Sequence, residues 1–174
     1  MWTLTGLTRI AFLGFFSSHV VITLMIDGQA CLPSSWYPIS IRNLLTWYTV
    51  QFKDENMTAP IDLWLKSFIS CELIFQLPFF VYATHRIYYS LPSDLFRSLC
   101  LVYGAHTSTT LIPILTYILS PPSTHPTTSV SERFILAMFY FPYLLFPAWI
   151  MIIAIRSPNM FGTNQTTLDK KKDN

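Results

Sequence analysis

Two carboxylates stand where an apolar sequence has little room for them. Glu72 lies within Phe68-Ile69-Ser70-Cys71-Glu72-Leu73-Ile74-Phe75-Gln76-Leu77-Pro78-Phe79-Phe80, and Asp27 closes the uncharged run Ile10–Ile26. An ionisable group at membrane depth costs from about 2.5 kcal/mol upward, so it faces a partner or a cavity rather than lipid. Glu72 and Gln76 are four apart and share a helix face, and His19, Thr23 and Asp27 repeat that spacing as a polar stripe. If Asp27 and Glu72 meet, they cannot both ionise readily and would share one proton, titrating as a pair. Such a dyad has two uses. It can neutralise a buried cationic ligand, with surrounding rings adding apolar and cation–π contact. It can also act as acid and base for proton transfer on an apolar substrate.

The elements that hold these groups are membrane helices. Of 174 residues, 52% are hydrophobic and only 11% charged, against about 25% charged in soluble domains. A spanning helix takes roughly 20 apolar residues. The sequence offers four such runs: Ile10–Ile26, Asp62–Tyr89, Leu99–Leu119 and Phe134–Ile155. The first is read as a span and not a signal peptide, because it holds His19, ends in Asp27 and lacks a small-residue cleavage site. The expected fold class is all-α integral membrane: a four-transmembrane-helix bundle with a short amphipathic helix in the first lumenal loop. That helix falls over Ile41 to Phe52, between the breakers Leu32-Pro33, Tyr37-Pro38 and Pro60. Its Leu44, Leu45, Trp47, Tyr48 and Phe52 suit an interface or the lid of a cavity. Asp54, in the polar turn after it, is either a solvated or capping acid or a structural acid that docks the loop. Lys66 is placed to snorkel, and Pro78 to remove a hydrogen bond and kink the second span.

Tyr103, His106 and Thr110 share a face of the third span, and Tyr140, Tyr143 and Pro147 one of the fourth. Turned inward, the polar stripes place Asp27, Glu72, Gln76, His106, Thr110, Tyr140 and Tyr143 around one interior. Trp47, Tyr48, Phe52, Phe68 and His19 complete the candidate ligand-binding set. Each has a plainer reading. Asp27 near a span end could reach interfacial water, Glu72 could make a structural hydrogen bond, and the histidines and tyrosines could be packing residues.

A net charge of +2 gives no footprint for nucleic acid. Cys31, Cys71 and Cys100 have no framework spacing. No metal spacing, phosphate loop or nucleophile elbow occurs, so neither metal nor cofactor is expected. Arg9, Arg86, Arg97, Arg156, Lys170, Lys171 and Lys172 fall on one side of the membrane, and Arg42, Lys53, Lys66 and Arg133 on the other. That bias favours two cytosolic termini. Residues 1–158 are expected to form the transmembrane domain and 159–174 a disordered tail. Lys171-Lys172-Asp173-Asn174 resembles the dilysine retrieval signal of endoplasmic-reticulum membrane proteins, a receptor-read address. Asn56 and Asn164 head formal glycosylation sequons, of which only Asn56 faces the lumen on this topology.

At these same residues the chain resembles the EXPERA-domain family. The matching pieces include Ser18-His19, Ile22-Thr23-Leu24 with Asp27, Arg42-Asn43-Leu44-Leu45 with Trp47-Tyr48, and Phe52-Lys53-Asp54. They continue in Cys71-Glu72-Leu73, Phe75-Gln76-Leu77-Pro78-Phe79-Phe80, Thr109-Thr110-Leu111-Ile112-Pro113 and Pro142-Tyr143-Leu144-Leu145. The likeness covers nearly the whole chain and weakens at the N-terminus, around Ser120–Ser131 and in the tail. It implies a receptor-like protein of the endoplasmic-reticulum membrane, commonly a homodimer, that binds sterols or oxysterols and hydrophobic amines. It further implies that the acid at Asp27 pairs with the ligand amine, that Glu72 is its hydrogen-bond partner, and that Asp54 acts indirectly. Membrane lipid and the Niemann-Pick type C cholesterol transporter are the implied partners. The family also contains a sterol isomerase branch, which carries a histidine one turn before its second-helix glutamate. Phe68 stands there in this chain, which argues for binding over catalysis. A third reading is a trafficking adaptor with an incidental pocket.

Overall fold

A computed structural model of the chain describes residues 3–120 and 127–162. Among them all regular structure is helical: α1 (Gly6–Met25), α2 (Ile39–Phe52), α3 (Leu63–Cys71), α4 (Leu77–Tyr88), α5 (Asp94–Ile118) and α6 (Val130–Arg156). Four helical stretches are long and apolar enough to cross a membrane: Gly6–Ala30, Leu63–Tyr88, Asp94–Ile118 and Val130–Arg156. These are the four expected spans, with α2 as the short helix between the first two.

Local chemistry sets the boundaries. α5 starts at Asp94 and not at Leu99, because the Ser93 side chain accepts from Phe96 N at 3.2 Å and so caps the helix. α6 starts at Val130, ahead of its uncharged run, because Ser129 and Glu132 form a capping box. α2 follows Pro38 and ends at Lys53, whose φ of 54° turns the chain out of the helix. The second span is interrupted. Between α3 and α4, Glu72–Gln76 forms a π turn. Pro78 has no N–H, and its ring crowds the carbonyl four residues back. A wider turn before the proline relieves that crowding, so the expected kink takes the form of a π bulge.

Packing divides the bundle into two halves. One is filled by a dense aromatic core that includes Phe12, Phe16, Phe80, Phe96 and Tyr103 with Ile150 and Ile153. Here Phe79 stacks on Tyr103 with ring centres 4.6 Å apart, and Phe15 on Phe146 at 4.3 Å. The other half has a thinner core of Met57, Leu65, Ile69, Ile114, Ile118, Leu136 and Ala137. The first and last described segments meet at the aromatic half, where Leu4 N donates to Met160 O at 2.6 Å. There Arg9 donates to the carbonyls of Ile87 and Tyr88, and Arg97 to that of Ala154. These cations satisfy orphan carbonyls at the ends of α4 and α6. Packing also continues past the expected start of the tail. Met160 is buried, and Phe161 stacks on Phe96 with centres 5.9 Å apart, because these apolar residues find the aromatic core. The rest of the tail, with Asn164, Lys170, Lys171 and Lys172, lies outside the described residues.

α5 and α6 approach closely at Gly104, where an added Cβ would lie 2.6 Å from Met151 Cβ and 2.7 Å from Pro147 O. Backbone on one side leaves no room to yield. Gly104→Val is expected to lower stability by about 1–3 kcal/mol, read as a fall in Tm of the purified protein. An unchanged Tm would mean that the helices part there without cost.

Candidate functional site

In the thinner half the helices leave a cavity of about 300 Å3, the lower end of the roughly 300–1,000 Å3 typical of small-molecule sites. Asp27, Glu72, Trp47, Tyr48, Tyr140 and Tyr143 line it, with apolar side chains that include Ile22, Ile26, Leu65, Ile69, Leu111 and Ile114. Leu44, Trp47 and Phe139 line it and are also exposed on the surface, so they mark its mouth. Beyond Glu72 and Tyr143 lies a smaller chamber of about 70 Å3, which also touches His19, Phe68, Gln76 and Thr110. The single interior expected from the polar stripes is therefore two adjacent spaces, with Leu65, Ile69, Glu72, Leu111, Ile114 and Tyr143 in the walls of both.

The acids are placed by two different helix endings. Asp27 opens a 3-10 turn, Asp27–Ala30, that tightens the end of α1. Gly28 permits this turn: a Cβ there would lie 2.5 Å from the Tyr37 hydroxyl. Gln29 Nε2 donates to Met25 O at 2.6 Å and to Ile41 O at 3.2 Å, tying the turn to α2. Glu72 begins the π turn. Its Oε1 accepts from Thr23 Oγ1 at 2.6 Å, and Thr23 is fully buried. Asp27 and Glu72 line the same cavity. The direct bond between them that the family resemblance implied is not formed. Thr23, one turn before Asp27 on α1, takes Glu72 instead. The Asp27 carboxylate faces the cavity with no hydrogen-bond partner among the described residues.

Asp54 lines neither space. It is fully buried behind the cavity wall, where Oδ2 accepts from Tyr48 Oη at 2.9 Å and Tyr140 Oη at 2.7 Å. Oδ1 accepts from the backbone N–H groups of Asn56 at 3.1 Å and Met57 at 3.3 Å. Full burial sets the solvated alternative aside. The bonds from Asn56 and Met57 are of the capping kind, made on a turn and not on a helix, and the two tyrosines add the docking role. Burial raises the Asp54 carboxyl above its ordinary range, against the lowering effect of Tyr140, Tyr48 and the two backbone donors. Burial beside Asp54 also pushes the Tyr48 phenol up. Asp54 thus holds α2 and α6 together through two tyrosines that face the ligand space.

Phe52 also lines neither space. Its ring turns onto Tyr48 and Phe139, with centres 5.3 and 4.9 Å away, and supports the wall from behind. His106, expected to face the interior, borders neither space either. Thr23 was visible in the sequence as the middle of the His19-Thr23-Asp27 stripe, but its partner on another helix was not. Phe139 and Met57 carry no signal that separates them from other apolar residues, whereas Leu44 lies on the amphipathic helix expected to border a cavity. Among the described residues no His, Cys, Asp and Glu group is placed to hold a metal ion.

The bundle and its acid-bearing cavity define a multi-pass membrane protein with an internal small-molecule-sized pocket. Residues 40–154 match the EXPERA (EXPanded EBP superfamily) family, and the chain belongs to it. It is 42% identical over 151 residues to the human protein named sigma intracellular receptor 2, covering 83% of this chain and 85% of that one. The Xenopus tropicalis protein of the same name is 41% identical over 152 residues, covering 84% and 87%. A Schizosaccharomyces pombe protein named efficient mitochondria targeting-associated protein 19 is 27% identical over 142 residues, covering 79% and 69%.

Proposed function

We propose that the protein is a sigma-2-receptor-like membrane binding protein whose cavity takes hydrophobic cationic amines and sterols or oxysterols. The observation that carries this reading is the free carboxylate of Asp27 in an apolar, aromatic-walled cavity. Asp27 is the counter-ion for a ligand ammonium, and Glu72, held by Thr23, lies beside it to share proton and charge. Trp47, Tyr48, Tyr140 and Tyr143 supply apolar and cation–π contact. Relatives at 41–42% identity that are named receptors support a binding role.

The isomerase reading draws on the same acids but lacks a proton carrier at Phe68, an apolar ring bordering the inner chamber. The test is binding of a labelled hydrophobic tertiary amine to the purified protein, run beside a sterol isomerase assay. Amine bound without isomer formation is the expected result. Isomer formation that disappears with Glu72→Gln would make the protein an enzyme.

The same reading places the protein in the endoplasmic-reticulum membrane as a homodimer, with a part in cholesterol homeostasis through the Niemann-Pick type C transporter. Lys171 and Lys172 are its retrieval signal. Replacing both with Ser is expected to move the protein out of the endoplasmic reticulum, as followed by imaging of the full chain. An unchanged distribution would mean that the tail is not the address.

A further inference from the structure

The inner chamber contains polar groups with nothing to bond. His19 is 7% exposed and lies tilted against Phe15 with ring centres 3.9 Å apart, edge-on to Phe80 and Tyr143. Its Nδ1 lies 2.7 Å from Phe15 O. A carbonyl only accepts, so Nδ1 carries the hydrogen, and in the neutral ring Nε2 is an acceptor. That Nε2 is buried without a partner, which costs the desolvation of the lone pair. Gln76, on the π turn, is likewise 7% exposed. Its Oε1 accepts from Thr107 Oγ1 at 3.0 Å, which leaves the amide N–H groups to donate. The chamber therefore offers an unmatched acceptor from α1 and an unmatched donor from the π turn. A group that both donates and accepts answers them together, and a hydroxyl is the smallest organic one. At about 70 Å3 the chamber has room for it, since a single water needs only about 10–15 Å3 of such space.

We propose that the inner chamber is a hydroxyl-reading subsite. The hydroxyl end of a rigid apolar ligand passes Glu72, donates to His19 Nε2 and accepts from the Gln76 carboxamide, while the apolar body fills the outer cavity. This rests on the outer cavity being a ligand site and adds which end of the ligand enters first. Asp27 selects for a cation in the outer space. His19 and Gln76 select for a neutral hydroxyl in the inner one, so the two spaces read different ligand chemistries.

The test compares cholesterol with cholest-5-ene, which lacks only the 3-hydroxyl, for binding to the wild-type protein and to His19→Phe. Phenylalanine keeps the aromatic contacts and removes the acceptor. Wild type is expected to bind cholesterol at least about tenfold more tightly, the worth of two hydrogen bonds of ordinary net strength. In His19→Phe, which keeps only the bond from Gln76, the preference is expected to fall by about three- to tenfold. Equal affinities in wild type would mean that water fills the chamber and would overturn the proposal while leaving the outer site standing. A preference undiminished in His19→Phe would put the hydroxyl elsewhere and overturn it too. Wild type that binds neither sterol nor a hydrophobic amine would overturn the outer site along with it. A measurement on wild type covers the case in which the variant does not fold. With ring-15N histidine, the His19 Nε2 resonance is expected to move toward the hydrogen-bonded position on adding cholesterol and to stay in place with cholest-5-ene. The same response to both would overturn the subsite.

Discussion

Asp27→Asn is expected to weaken binding of hydrophobic amines by about a hundredfold or more while leaving the Tm of the protein close to wild type. The substitution keeps the shape and removes the charge. Asp27 has no hydrogen bond to lose among the described residues and faces the cavity, so the fold gives up little. A ligand ammonium in an apolar cavity gives up much more, because without the carboxylate it is a desolvated, unpaired cation. Glu72 is a poor substitute, since one of its oxygens is already engaged by Thr23. A neutral isostere of the amine should bind wild type and variant alike. Tight amine binding retained by Asp27→Asn would remove Asp27 as counter-ion and move that role to Glu72.

Asp54→Ala acts on the wall. It leaves the phenols of Tyr48 and Tyr140 and the N–H groups of Asn56 and Met57 without their shared acceptor. The expected loss of stability is about 3 kcal/mol or more, since each donor left buried without an acceptor costs about 1–3 kcal/mol and the costs do not add simply. Ligand binding should weaken with it, because both tyrosines line the cavity. The pH dependence has a definite sign. Burial holds the Asp54 carboxyl above the usual aspartate range, so the folded protein binds this proton more tightly than the unfolded chain does. The contribution of Asp54 to stability is then full below the ordinary aspartate value and declines as pH rises through the raised one. The difference in Tm between wild type and Asp54→Ala should accordingly be largest in acid and shrink toward neutral pH. A difference independent of pH would count against a raised carboxyl.

The spans, the amphipathic helix and the two intramembrane acids were legible in the sequence because each is a local contrast: apolar runs against breakers, or a carboxylate against an apolar background. What was not legible depends on where one helix meets another. Lys53-Asp54-Glu55 has the composition of a solvated turn, and the one distant donor to Asp54 among the described residues, Tyr140, lies 86 residues further along the chain. Glu72 and Asp27 could be expected near each other, but the choice of Thr23 as the donor to Glu72 is a matter of register between α1 and the π turn. Phe52 sits on the apolar face of α2 as expected, yet it serves the wall and not the cavity, a distinction periodicity does not carry. Met160 and Phe161 are too short a pattern to announce packing by themselves.

The π turn at Glu72–Gln76 makes the second span a helix with one residue more than an unbroken α-helix would hold over the same length. The halves on either side of it have separate duties: α4 packs against α1 in the aromatic core, and α3 carries Leu65 and Ile69 along the cavity. The wide turn absorbs that extra residue, so α3 and α4 keep the faces that one continuous helix would give them. Deleting Leu73, Ile74 or Phe75 would close the turn to ordinary α-helix and leave both halves seated, but it would withdraw the local widening that presents Glu72 and Gln76 to the two spaces. The bulge is therefore a local aiming device for two polar side chains within a span whose packing does not depend on it.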